Sequence, residues 1–165
     1  MNDEQTDLFG KPEVPQTRRI FLKRIEARFK NEIVRENAPA WVSKRFTSAQ
    51  QIFEMFYDLH MEAKEHFIAL HLDGKNRISC YDRVSLGSLN QSIVHPREVF
   101  KTACLTSAAA IILLHNHPTG DPSPSKEDLD ITRRVKEAGE LLGIKVLDHV
   151  IIGETYLSFV EQGLL

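Results

Sequence analysis

Cysteine is scarce in this sequence: Cys80 and Cys104 are the only two. They form no CxxC pair and no ladder of bridges, which excludes a disulfide-built scaffold. Two unpaired thiols suit a reducing compartment. An excess of one charge is missing as well. The 21 Lys and Arg are offset by 23 Asp and Glu, for a net charge of −2. No global basic field therefore points to nucleic acid. Long hydrophobic runs are absent too. The longest, Ala108 to Leu114, falls far short of the roughly 20 residues that span a bilayer. Met1 to Gly10 is polar and acidic and has no apolar core of the kind a secretory signal needs. These absences lead us to expect a cytoplasmic protein with no membrane partner.

The 165 residues, 42% of them hydrophobic, suit one domain with a short extension. Residues 1–17 hold two prolines and little to bury, and are expected to be disordered. Residues 18–46 are expected to form a short helical extension. Within it, Phe21, Ile25 and Phe29 recur every four residues, which predicts a helix over 18–30. Its other face carries Arg18, Arg19, Lys23, Arg24, Arg28 and Lys30, which could contact phosphates or simply face water. Residues 47–165 read as the main domain. A helix is expected from Ser48 through Leu59, with Thr47 or Ser48 as its cap. Alternating residues then predict a strand over 67–72, a turn at Asp73-Gly74-Lys75-Asn76, and a strand over 77–86. A helix over 96–105 starts at a proline, and a buried strand over 109–114 follows. Ile131, Val135, Ala138 and Leu142 mark a helix over 125–142, closed by Gly143. Two strands, 144–152 and 156–160, end the chain. The expected fold class is α/β, with mixed strands and interspersed helices.

The segment that carries chemistry runs from His115 to Asp128. Side chains two apart on a strand share a face, so His115 and His117 project together from the end of a buried strand. Pro118 stops the strand, and the loop Thr119–Pro124 holds one glycine and two prolines. It delivers Ser125 and Asp128 to the first turn of the next helix. Two imidazoles and one carboxylate, with a fourth position left for water, make the donor set of a catalytic zinc site. Two plainer readings compete. An HxH pair often has no metal, and Ser125-Lys126-Glu127-Asp128 also fits a helix capping box. Neither explains why these groups gather after a buried strand, where unpartnered histidines and a carboxylate would be costly. The letters His-Asn-His do not indicate an HNH nuclease, whose residues are spread along a longer motif.

His115-x-His117, seven residues, Ser125, two residues and Asp128 resemble the JAMM (MPN-plus) signature. Three further stretches resemble the RadC family in order: His95-Pro96-Arg97-Glu98-Val99-Phe100, His115-Asn116-His117-Pro118-x-Gly120-Asp121, and Leu147-Asp148-His149-Val150-Ile151-Ile152-Gly153. The resemblance covers residues 47–165. It implies a cytidine-deaminase-like JAMM/MPN fold, a central mixed sheet flanked by helices, and one zinc ion held by His115, His117 and Asp128. It also implies hydrolysis of a peptide or isopeptide bond in a peptide or protein substrate. Full-length members carry an N-terminal helix-hairpin-helix-like region; this sequence resembles the short forms without it.

The resemblance further calls for a glutamate that is not a ligand. Glu65, at the start of the strand over 67–72, is the preferred general base, and Glu98 the alternative. Glu98 could equally be a first-turn acid facing the helix dipole. The Ser125 hydroxyl is expected to help hold the developing oxyanion. His149 reads either as a satisfied core histidine or as a residue orienting a ligand. Cys80 and Cys104 have nothing that pairs them with the site. The family's name carries a proposed role in DNA repair, so a DNA-binding factor is one alternative function, and a non-catalytic MPN scaffold is another.

Overall fold

The computed structural model describes residues 19–87 and 94–165. Residues up to Lys30 form one unit and Asn31–Leu165 another; the fold below is that of the second. Over 19–46 no helix forms, contrary to the sequence reading. Ile20, Phe21, Leu22, Ile25 and Phe29 are 76–90% exposed. A helix this short is marginal in water unless its apolar face is buried, and here it is not. The disorder expected over 1–17 lies outside the described residues.

The order of elements is α1 (Ala49–Met55), a 3₁₀ turn (Tyr57–Met61), β1 (His66–Leu72), β2 (Ile78–Leu86), α2 (Pro96–Leu105), β3 (Ala110–Asn116), α3 (Lys126–Leu142), β4 (Lys145–Ile152) and β5 (Tyr156–Ser158). One helix expected over 48–59 is thus two pieces. Ser48 caps α1 by accepting the Gln51 N–H at 3.3 Å. The strand expected over 156–160 is shorter, ending at Ser158.

The strands form one sheet in the order β2-β1-β3-β4-β5. Only the β3–β4 pair is parallel, because α3 carries the chain back between them. The central strands β1 and β3 are buried along their whole length. They carry apolar residues on both faces because both faces are covered. Ile68, Leu70, Leu72, Ile112 and Leu114 pack with Ala49 and Ile52 of α1 and with Phe56, which caps its C-terminus. Phe67, Ala69, Ile111 and Leu113 pack with Val99 and Phe100 of α2 and Ile131 and Val135 of α3. This sandwich matches the expected α/β class. No helix among the described residues is long and apolar enough to cross a membrane.

Strand parity places the site. Ile111 and Leu113 face α2 and α3, so His115 faces them too. It projects at the carboxyl end of β3, beside the amino end of α3, where open α/β sheets place their crevices.

Candidate metal centre

His115, His117 and Asp128 bring one nitrogen or oxygen each within 4.8 Å of one another. His115 Nε2 lies 3.0 Å from His117 Nε2 and 3.2 Å from Asp128 Oδ1. His117 Nε2 lies 3.4 Å from Asp128 Oδ2. Ligands about 2.1 Å from a tetrahedral centre stand roughly 3.3–3.4 Å apart, so the spacing suits a metal ion of that kind.

The surrounding hydrogen bonds fix which ring nitrogens face inward. Thr132 Oγ1 lies 2.5 Å from the Asp128 carbonyl, which can only accept, so the hydroxyl donates there. Its remaining lone pairs accept from His149 Nδ1–H at 2.6 Å. His149 Nε2 then accepts from His115 Nδ1–H at 2.8 Å. On the other ligand, His117 Nδ1–H donates to the Asp121 carbonyl at 2.8 Å. Both histidines therefore turn Nε2 toward Asp128. Asp128 Oδ1 is buried and has no hydrogen-bond partner. A buried carboxylate oxygen left bare is costly, and a cation among these three atoms removes the cost.

Burial pushes the Asp128 carboxyl upward. The adjacent His115 and His117 rings and the Ser125 hydroxyl outweigh that and hold it well below the usual carboxylate range. The Asp128 carboxylate in turn raises His117 above its ordinary value, against the opposing effect of burial. The charge of Glu65 also raises His117, so the two groups are within electrostatic reach.

The capping box weighed against the metal site is present in full. Ser125 Oγ accepts the Asp128 N–H at 3.1 Å, and Asp128 Oδ2 accepts the Ser125 N–H at 2.7 Å. The two readings are compatible because one carboxylate has two oxygens. Oδ2 serves the cap and also stands 3.4 Å from His117 Nε2, while Oδ1 stands 3.2 Å from His115 Nε2. The Ser125 hydroxyl itself donates to Asp128 Oδ2 at 2.7 Å.

The loop between His117 and Ser125 is anchored by backbone contacts. His117 N–H donates to Ile152 O at 2.8 Å, and Glu154 N–H donates to Gly120 O at 2.8 Å. Gly153 lies under Gly120 so closely that a Cβ added to Gly153 would sit 2.1 Å from the Gly120 oxygen. Only glycine fits there. Gly120 itself has φ 86°, in the left-handed region.

The remaining candidates divide. Glu65 lies just before β1 and is half-buried. Glu98 sits on α2 with its carboxylate 2.5 Å from Lys101 Nζ, which holds its pKa below the usual range; it serves as a surface acid in the first turn. His149 is buried with both nitrogens engaged, and it also orients His115. Cys80 and Cys104 are free thiols; Cys80 Sγ lies 3.4 Å from His71 Nδ1, at the opposite end of β1 from the site. Two contributors, Thr132 and Asn116, escaped the sequence reading. Thr132 lies one helical turn after Asp128, which is the only signal it gives.

A family model described as RadC-like JAB domain matches residues 46–164. The chain belongs to this RadC-like family. A UPF0758 protein of Geotalea uraniireducens is 64% identical over 124 residues, covering 74% of this chain and 54% of the relative. One from Pelobacter propionicus is 65% identical over 123 residues, covering 73% and 54%. An archaeal relative, from Methanococcoides burtonii, is 52% identical over 122 residues, covering 73% and 53%. The chain spans about half the length of these curated relatives. The RadC-like match contains every residue of the cluster.

Proposed function

We propose that this RadC-like chain is a zinc-dependent hydrolase of peptide or isopeptide bonds. The observation that supports it most is the convergence of two Nε2 atoms and the Asp128 carboxylate, whose Oδ1 is buried and bare. Two nitrogens and a carboxylate suit zinc with an open fourth position, the pattern of catalytic sites. A bound zinc lowers the pKa of water towards about 7 and polarises a carbonyl.

The chain's residues supply the rest. Glu65 takes a proton from the attacking water as the new C–O bond forms. It hands that proton to the amine nitrogen as the C–N bond breaks. The electrostatic coupling of Glu65 to His117 supports this assignment. Ser125 turns its hydroxyl from Asp128 Oδ2 to the substrate oxygen once the carboxylate is engaged by the metal.

The test is zinc stoichiometry by elemental analysis on wild type beside His115→Ala/His117→Ala. About one zinc per wild-type chain, lost in a variant that stays folded, is the expected result. A peptide and isopeptide library then screens for cleavage that Glu65→Gln abolishes. Wild type free of zinc after reconstitution overturns the reading.

A further inference from the structure

Asn116 stands between the two histidines in sequence and is fully buried. Its carboxamide reaches across to another segment. Oδ1 accepts the His66 N–H at 2.8 Å, and Nδ2 donates to the Lys64 carbonyl at 3.1 Å. The residue between those two groups is Glu65.

The strand register explains the reach. The ladder between β1 and β3 ends at the pair Phe67↔His115. One step further the same antiparallel register would set His66 opposite Asn116. There a side chain replaces the backbone ladder and satisfies both a buried donor and an acceptor. Asn suits the task because its amide mirrors a peptide group, with one acceptor and one donor. Glu65 needs such a tie because it lies outside β1, after the exposed stretch Glu62–Lys64. Its own carbonyl accepts the Gly87 N–H at 2.9 Å.

We infer that Asn116 is a positioning residue that locks the backbone of Glu65 to the strand end bearing His115 and His117. Base and ligands then keep a fixed separation because one residue is covalently joined to the ligands and hydrogen-bonded to both neighbours of the base. Small displacements of a general base are costly, so such a lock has functional weight beyond stability. The inference rests on the reading of Glu65 as general base.

The test uses the full chain loaded with Co²⁺, whose visible spectrum responds to ionisation at the metal. Wild type, Glu65→Gln, Asn116→Ala and the double variant are titrated with base, with cobalt content and Tm measured alongside. Glu65→Gln is expected to displace the pH of the spectral change. Asn116→Ala is expected to reproduce most of that displacement with full cobalt content, and the double variant to go no further than Glu65→Gln. If Asn116→Ala does not fold, Asn116→Ser replaces it, since a hydroxyl is too short to bridge both backbone groups. A lowered Tm with the wild-type spectral pH would make Asn116 structural only and overturn the inference. If Glu65→Gln itself displaces nothing, the base assignment falls and this inference with it. A wild type that takes up no cobalt overturns both at the metal.

Discussion

His149 Nε2 stands 2.8 Å from His115 Nδ1, and through this contact α3 sets the orientation of a candidate ligand on β3. The chain Asp128 carbonyl, Thr132, His149, His115 begins and ends on residues of the candidate metal cluster. It holds His115 in the one tautomer that presents Nε2 to Asp128. Partners of this kind are worth roughly 10–100-fold in metal affinity. His149→Phe keeps the ring volume and removes the acceptor. It is expected to weaken zinc binding by about that factor while the protein stays folded, as read by competition with a chromogenic chelator. Unchanged affinity would leave His149 a core residue and nothing more.

Ser125 separates the cap from the catalytic role. Ser125→Ala removes the side-chain acceptor at the start of α3 and should cost about 1 kcal/mol in a urea titration. The Asp128 carboxylate stays beside both histidines, so zinc content should hold. Turnover should fall by more than zinc content does. Parallel loss of both would end the oxyanion role for Ser125.

Acid should destabilise the metal-free protein through its buried histidines. Burial holds His71 and His149 below their ordinary value of 6.5. The unfolded chain takes up these protons near 6.5 and the folded chain does not, so stability falls as pH drops through and below that value. His117 is raised, so its contribution is complete below 6.5 and is lost only as pH rises past its folded value. Asp148, pushed up by burial, works in the opposite sense to the two buried histidines, nearer the ordinary 3.8. The urea midpoint should therefore be lower at about pH 5.5 than at about pH 7. A flat profile would show that the histidines are not held neutral.

Gly153 supports the loop that carries the site. Gly153→Ala forces a methyl group onto the Gly120 carbonyl, 2.1 Å away before any relaxation. Overpacking of this kind costs about 1–3 kcal/mol. Zinc affinity should fall as well, because the same loop fixes the Asp121 carbonyl on His117. Wild-type stability in this variant would mean that the loop moves freely, contrary to its backbone hydrogen bonds.

Much of this protein was determined by local sequence alone. Strand pattern and the turn at Asp73-Gly74-Lys75-Asn76 marked β1 and β2, a continuous apolar run marked β3, the proline at position 96 and the serine at 125 opened α2 and α3, and the glycine at 143 closed α3. These signals are short-range: a strand's pleat, a cap, a missing Cβ. The same locality brought out His115, His117 and Asp128, since a strand end, a rigid loop and a first helical turn lie within 14 residues. Tertiary structure decided the rest. The periodic residues of 18–30 predicted a helix, but Phe21, Ile25 and Phe29 stay exposed, and periodicity without burial does not hold a helix. His149 gained its contact with His115 only because β4 pairs in parallel beside β3, with Leu113 opposite His149. Asn116 met the neighbours of Glu65 only because β1 runs antiparallel on the other side. These contacts join residues 34 to 52 positions apart, and only strand register, a property of the assembled sheet, determines which of them meet.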